Sequence, residues 1–203
     1  MMRHRLQLLV ALFSCARLLS AQSSFVSVTT YEVAVPIGET RDFLTSTSWL
    51  GFSWEGRWAL ASRAYAGVQV GLNDFSQRTD GTMNFPSGAA TGPQFRYLLS
   101  TPLLVTGYVY PIDTYHVRWY VGGAAGYSYI LQLFELGVRQ ITHGAWHAVL
   151  APEAGVEVRA FGEGVIGLVS VRYSAPASAG DYLGGGSRSF RHLTVRMGFG
   201  EEW

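Results

Sequence analysis

Between Val117 and Phe134 the chain alternates with a period of two. Val117, Trp119, Val121, Gly123, Ala125, Tyr127, Tyr129, Leu131 and Leu133 share one face, which is apolar and aromatic. Arg118, Tyr120, Gly122, Ala124, Gly126, Ser128, Ile130, Gln132 and Phe134 share the other, which is mostly small or polar. Successive side chains of a strand point to opposite faces, so this spacing predicts a β-strand. Gly122, Gly123 and Gly126 weigh against a helix by about 1 kcal/mol each relative to alanine. The run is also far longer than the roughly 5–6 residues of a typical soluble strand. A tilted strand that crosses a bilayer needs about 9–11 residues and is free to continue beyond it. The stretch therefore reads as a transmembrane strand with aromatic residues towards lipid and small ones towards a crowded interior.

Seven further stretches repeat the alternation. Val28–Val35 sets Thr29, Tyr31, Val33 and Val35 against Thr30, Glu32 and Ala34. Trp49–Trp58 sets Leu50, Phe52, Trp54 and Trp58 against Gly51, Ser53, Glu55 and Arg57, and Tyr65–Asn73 sets Ala66, Val68, Val70 and Leu72 against Tyr65, Gln69 and Asn73. Tyr97–Tyr110 carries apolar residues on both faces and contains Pro102, where a bulge is expected because proline donates no ladder hydrogen bond. Trp146–Arg159 places His147, Glu153, Glu157 and Arg159 inward, with an interruption expected at Pro152. Val165–Tyr173 turns Ser170 and Arg172 inward, and Arg191–Phe199 does the same with His192, Thr194 and Arg196.

The connections alternate in length. Those at 37–48, 74–94, 135–145 and 175–189 are long; those around 59–63, 112–116 and 161–164 are short. Short turns on one side and long loops on the other match bacterial outer-membrane barrels, whose short turns face the periplasm. An even number of strands puts both termini on that side.

Composition agrees. The chain is 48% hydrophobic and only 14% charged, against roughly 25% charged in a soluble domain, and no later stretch offers about 18 apolar residues in a row for a membrane helix. Residues 1–21 read as a cleaved signal peptide. Arg3, His4 and Arg5 form its positive start, Leu6 to Phe13 its apolar core, and Leu19-Ser20-Ala21 its small-residue end. The mature domain then runs from 22 to 203. Cys15, the only cysteine, falls in the leader, which excludes disulfides, thiolate metal sites and cysteine nucleophiles from the mature chain. All 15 lysine-plus-arginine positions are arginine, so the phosphate-loop lysine is missing from Gly-rich stretches such as Gly184-Gly185-Gly186. Without Arg3, Arg5 and Arg17 the formal charge falls from +1 to −2, which leaves no basic footprint for nucleic acid.

The leader, eight amphipathic strands, sorted loops and the ending Gly198-Phe199-Gly200-Glu201-Glu202-Trp203 together resemble the small outer-membrane β-barrel proteins of Gram-negative bacteria, the OmpA/OmpX-type superfamily. The resemblance implies an all-β, eight-stranded antiparallel up-and-down transmembrane barrel, set in outer-membrane lipid and assembled by machinery that reads the terminal aromatic, here Trp203. Glu201 departs from that pattern, where an aromatic residue is expected.

The inward faces collect Glu32, Glu55, Glu153 and Glu157 with Arg57, Arg118, Arg159, Arg172 and Arg196. An eight-stranded barrel is just wide enough for side chains to fill it, so these charges are expected to pair and close the lumen. Glu32 and Arg196 are expected to meet at the seam between the first and last strands, with Arg57 approaching from the other neighbour. Trp54, Trp58, Trp119, Trp146, Phe199 and Trp203 are expected at the membrane interfaces. His143 and His147 read as solvated loop histidines. His192 and Thr194 are faintly similar to the His-x-Ser of lipid A deacylase barrels, but Thr replaces Ser and both point into the lumen. The chain is therefore read as non-enzymatic and without cofactor. Two alternatives stay open: a narrow barrel that takes small apolar molecules through Leu104, Ile130, Phe134 and Ile166, and a soluble lipocalin-like barrel with Trp54, Trp58 and Trp119 turned inward around a ligand.

Overall fold

A computed structural model describes residues 24–38, 40–85, 88–136, 139–159, 164–177 and 190–203. The alternating stretches form eight strands: β1 (Phe25–Pro36), β2 (Ser48–Ala61), β3 (Ala64–Phe85), β4 (Gly88–Asp113), β5 (Val117–Leu136), β6 (Arg139–Val158), β7 (Val165–Pro176) and β8 (His192–Glu202). Each pairs antiparallel with the next, and β8 returns to β1, so the sheet closes into a barrel. Within the closed circuit each strand has a paired neighbour on both sides, which is what hydrocarbon surroundings demand, while the outer ends of β3 and β6 run on beyond their β2 and β7 partners. The leader at 1–21 and the loop that holds Gly184, Gly185 and Gly186 lie outside the described residues.

The register fixes the stagger. Ala34 pairs with Thr194, then Arg172, Glu153, Gly122, Tyr108, Tyr65 and Ala59 follow in turn, and the Ala59 N–H donates to the Ser24 carbonyl. One circuit thus returns to the first strand ten residues lower, and so large an offset requires steeply tilted strands. The ends of the chain meet at the seam, where the N–H groups of Phe25 and Trp203 donate to each other's carbonyls. β8 accordingly runs through Glu201, whose departure from the expected terminal pattern leaves the strand intact.

Three expectations need correction. The segments 74–94 and 135–145 are mostly strand, not loop: β3 and β4 stay paired from Asp74–Leu99 out to Phe85–Gly88, and β5 and β6 out to Leu136–Arg139. Asp74, Ser76, Arg78 and Asp80 break the apolar alternation on β3 where the hairpin leaves the belt, but backbone pairing needs no apolar side chains, so the ladder continues where the pattern stops. Pro102 causes no bulge, and the interruption expected at Pro152 falls on the β7 side alone. Each sits in an unbroken register with β5, as Pro102–Ser128 and Gly123–Pro152. On the other side, towards β3 and β7, pairing skips the proline and resumes in register. The shifts fall instead at Glu32/Ala34, Ala59/Ala61 and Val109/Ile112. The third correction is at 37–48, where a single helical turn, α1 (Thr40–Phe43), interrupts the loop.

Above the charged interior lies an apolar layer. Leu44, just after α1, and Phe190, just before β8, pack with Ala34, Phe75, Leu98 and Ile130 in a buried apolar cluster.

Glycine marks the close approach of β4 and β5. A Cβ on Gly122 meets the Gly107 carbonyl oxygen and lies 2.8 Å from Tyr108 Cα, whereas a Cβ on Gly107 has open space. Backbone atoms have no rotamer to escape into, so Gly122→Ala is expected to destabilise by about 1–3 kcal/mol. Gly107→Ala is expected to leave the urea midpoint unchanged. Tryptophan fluorescence of the refolded protein in detergent measures both, and equal midpoints mean that the strands are not so closely set.

Candidate functional site

Acids and arginines face each other across neighbouring strands. Glu32 on β1 is the direct pair of Arg196 on β8, Glu153 on β6 of Arg172 on β7, and Arg118 on β5 of Glu157 on β6. Directly opposed residues on one face sit close enough to interact, so cross-strand placement converts register into ion pairs.

Arg196 is the hub. Its Nε donates to Glu32 Oε1 at 3.0 Å and its Nη1 to Glu153 Oε1 at 2.6 Å, while Nη2 lies 3.5 Å from Glu55 Oε2. Arg172 donates to Glu153 Oε2 from Nε at 2.8 Å and from Nη2 at 2.5 Å. Below this layer Arg57 donates to Glu55 at 3.0 Å and to Glu157 at 2.6 Å, and Arg118 Nη2 lies 2.8 Å from Glu157 Oε2. The four acids and four arginines are all buried and cancel in formal charge.

Neutral donors reach three of the four acids, whereas Glu55 Oε1 and Glu157 Oε2 accept no hydrogen bond. Glu32 also accepts from Ser53 at 2.6 Å and Asn73 at 3.0 Å. Tyr120 donates to Glu153 at 2.8 Å and Tyr110 to Glu157 at 2.9 Å. The Arg57 guanidinium sits 4.4 Å from the Tyr108 ring centre, and that of Arg118 sits 4.9 Å from that of Tyr110. Buried charge persists when it is both paired and hydrogen-bonded, and these contacts supply the second condition for Glu32 and Glu153 more fully than for Glu55 and Arg118.

Two residues sit elsewhere than expected. Arg159 lies just past the end of β6, 33% exposed, with Asp113 and Glu202 at the barrel rim, because the inward parity of β6 carries it beyond the last strand pair. Arg57 does not approach Glu32. It sits on β2 opposite Val26, whereas Glu32 lies opposite Gly51 at the far end of the β1–β2 ladder, so Ser53 and Asn73 take the place foreseen for Arg57. Tyr108, Tyr110 and Tyr120 are site residues that the alternation alone does not single out. Their inward parity was visible on β5, but on β4 it was obscured by apolar residues on both faces.

The inward apolar side chains are packed against their neighbours. Ile166, Leu104 and Ile130 pack into three separate buried apolar clusters, and Phe134 is buried as well. A cavity of about 20 Å³ bordered by Glu32, Asn73, Ser100, Ser128 and His192 has room for about one water. His147 is buried on the inward side of β6, not solvated, and only His143 of that pair is exposed. His192 and Thr194 both face the lumen and are buried. Among the described residues no cluster of three metal-ligating side chains occurs.

The outward tryptophans reject the inverted barrel: Trp54, Trp58 and Trp119 are between 40% and 53% exposed on the outer face. Trp58, Trp119, Phe199 and Trp203 lie towards the end that holds the termini, and Trp146 towards the opposite end, 5.4 Å from Tyr129. Trp54 is the exception to the interface expectation. It is paired with Thr29 and Val70 in the middle of the sheet, and its indole N–H is satisfied by Ser27 Oγ at 3.0 Å. An indole away from the wet interface needs such a partner.

No family model matches the sequence, and no curated protein matches it. Solved structures do. Surface protein A of Neisseria is 13% identical and superposes with a TM-score of 0.50 over 89% of this chain and 95% of its own. The attachment invasion locus protein of Yersinia pestis is 12% identical, with a TM-score of 0.50 over 89% of this chain and 98% of its own. At such identities the likeness is one of fold, and the fold is that of the small eight-stranded outer-membrane β-barrels.

Proposed function

We propose that this chain is an exported, non-enzymatic protein of the Gram-negative outer membrane, a closed barrel whose role is structural or lies in the interactions of its longer connections. In this reading the leader is removed after Ala21, the termini and short turns face the periplasm, the assembly machinery inserts the barrel, and the long connections face outward. The outward apolar belt and the leader support the location; the extended β3–β4 and β5–β6 hairpins and the long connections that precede β2 and β8, all opposite the termini, support the orientation.

The observation that carries the closed interior is the neutral set of four acids and four arginines, each pinned by at least one partner within 3.0 Å. A narrow barrel for apolar molecules has less support, since the inward apolar side chains are packed against one another.

Planar-bilayer recording of protein recovered from the outer-membrane fraction, with its N-terminus read by mass spectrometry, tests the proposal. A chain that starts near Gln22 and shows no steady conductance is expected. A stable pore of porin size sinks the closed-lumen reading, and recovery as a soluble periplasmic monomer sinks the membrane one.

A further inference from the structure

The outward apolar surface is not equally tall around the barrel. On β5 every outward position from Val117 to Leu133, seventeen residues, is apolar, aromatic or glycine, and the first charge is Glu135. On β4 the outward positions from Val109 to Phe95, and on β6 those from Val158 to Gly144, fifteen residues each, carry no charge. On β8 the run covers only Phe199 to Leu193 before Arg191, seven residues, and on β3 only Ala64 to Leu72 before Asp74, nine residues. A bilayer takes about 9–11 residues of a tilted strand, so β4–β6 carry outward apolar rows beyond what crossing alone needs.

These extra rows are ordered. Leu99, Leu131 and Gly144 form one, and Tyr97, Leu133 and Thr142 the next. Polarity arrives in the third, where Phe95 pairs with Glu135 and the Arg78 guanidinium lies 5.4 Å from the Phe95 ring centre. On the inward side, Leu98 and Ile130 are covered by Leu44 and Phe190, while Gln132 is buried. The outward side keeps the period, the absence of charge and the aromatic residues of the belt below it, with which it is continuous: Tyr127, Tyr129 and Trp146 lie at the join. Tyrosine and tryptophan gather where hydrocarbon meets headgroups.

We propose that membrane lipid covers this raised face, so that the bilayer reaches higher along β4–β6 than along β7, β8 and β1–β3. A tilt of the barrel or a local thickening of the bilayer accommodates such a mismatch at modest cost. The proposal rests on the membrane reading above, and its test separates the two. Single cysteines at Leu133 on the raised face, Val169 in the belt on β7 and Arg78 at the polar row are labelled with a polarity-sensitive fluorophore; the sequence's own Cys15 lies in the leader. The mature protein is placed in phosphatidylcholine vesicles with brominated acyl chains. Expected is a loss of emission at Leu133 as large as at Val169, with the label at Arg78 quenched by aqueous iodide instead. A Leu133 label that iodide quenches, or that neither agent reaches because a second copy of the chain covers it, overturns the inference while Val169 still reports lipid. If the Val169 label is not quenched by brominated lipid, the membrane reading itself falls.

Discussion

Arg196→Ala is expected to destabilise the barrel by about 3–5 kcal/mol, the cost of leaving buried carboxylates without their cation. Arg196 touches three acids, Glu32, Glu153 and Glu55. Its loss therefore leaves four buried acids facing three arginines. The remaining pairs do not compensate equally. Glu153 keeps Arg172 and Glu55 keeps Arg57, but Glu32 keeps only the neutral donors Ser53, Asn73 and Thr30. Replacing Glu32 and Arg196 together with Leu and Met removes one charge of each sign and restores the balance. The double variant is accordingly expected to be more stable than Arg196→Ala alone, although it is missing one more native side chain. Urea unfolding in detergent, followed by tryptophan fluorescence and by the heat-dependent gel shift of folded barrels, measures both. A double variant as unstable as the single one means that packing, and not the unpaired carboxylate, sets the cost.

The seam pair was legible because two simple rules act together. Parity told which residues of β1 and β8 look inward, and closure told which strands become neighbours; Glu32 and Arg196 follow from those two facts. Arg57 shows where that reasoning ends. Its inward direction was readable, but its height in the barrel depends on a stagger set by the whole circuit of pairings, which no single strand announces. The same holds for Arg159, inward by parity yet beyond the last rung. Trp54 was assigned to an interface on residue type alone, and its depth again needed the register. Strand ends failed for another reason. Apolar alternation reports contact with lipid or core, and β3 continues as a strand through Ser76, Arg78 and Asp80 where neither is present. The prolines misled in the opposite direction: a missing N–H interrupts the ladder on one side only, and the neighbour on the other side holds the register through it.

Val169→Arg is expected to cost about 2–4 kcal/mol if the belt faces hydrocarbon, the depth-dependent price of a guanidinium near the bilayer midplane. Val169 sits midway along β7 between Val156 and Met197 and points outward, 54% exposed. That exposure makes the substitution diagnostic. On a soluble barrel a half-exposed outer-face valine tolerates arginine within about 0.5 kcal/mol, since the new charge simply enters water. In lipid the same side chain must desolvate or drag headgroups and water inward. Gly81→Arg supplies the reference: Gly81 is exposed on the projecting β3–β4 hairpin and a Cβ there meets nothing within 4 Å. Unfolding free energies of both variants, compared in phospholipid vesicles and in detergent micelles, give the answer. A large loss at Val169 beside a neutral Gly81 is the expected outcome, with the loss shrinking in micelles, whose thin apolar shell lets the guanidinium reach water. Equal tolerance at the two sites in vesicles means that the outward face of β7 does not meet hydrocarbon, and the assignment of lipid and lumen faces falls with it.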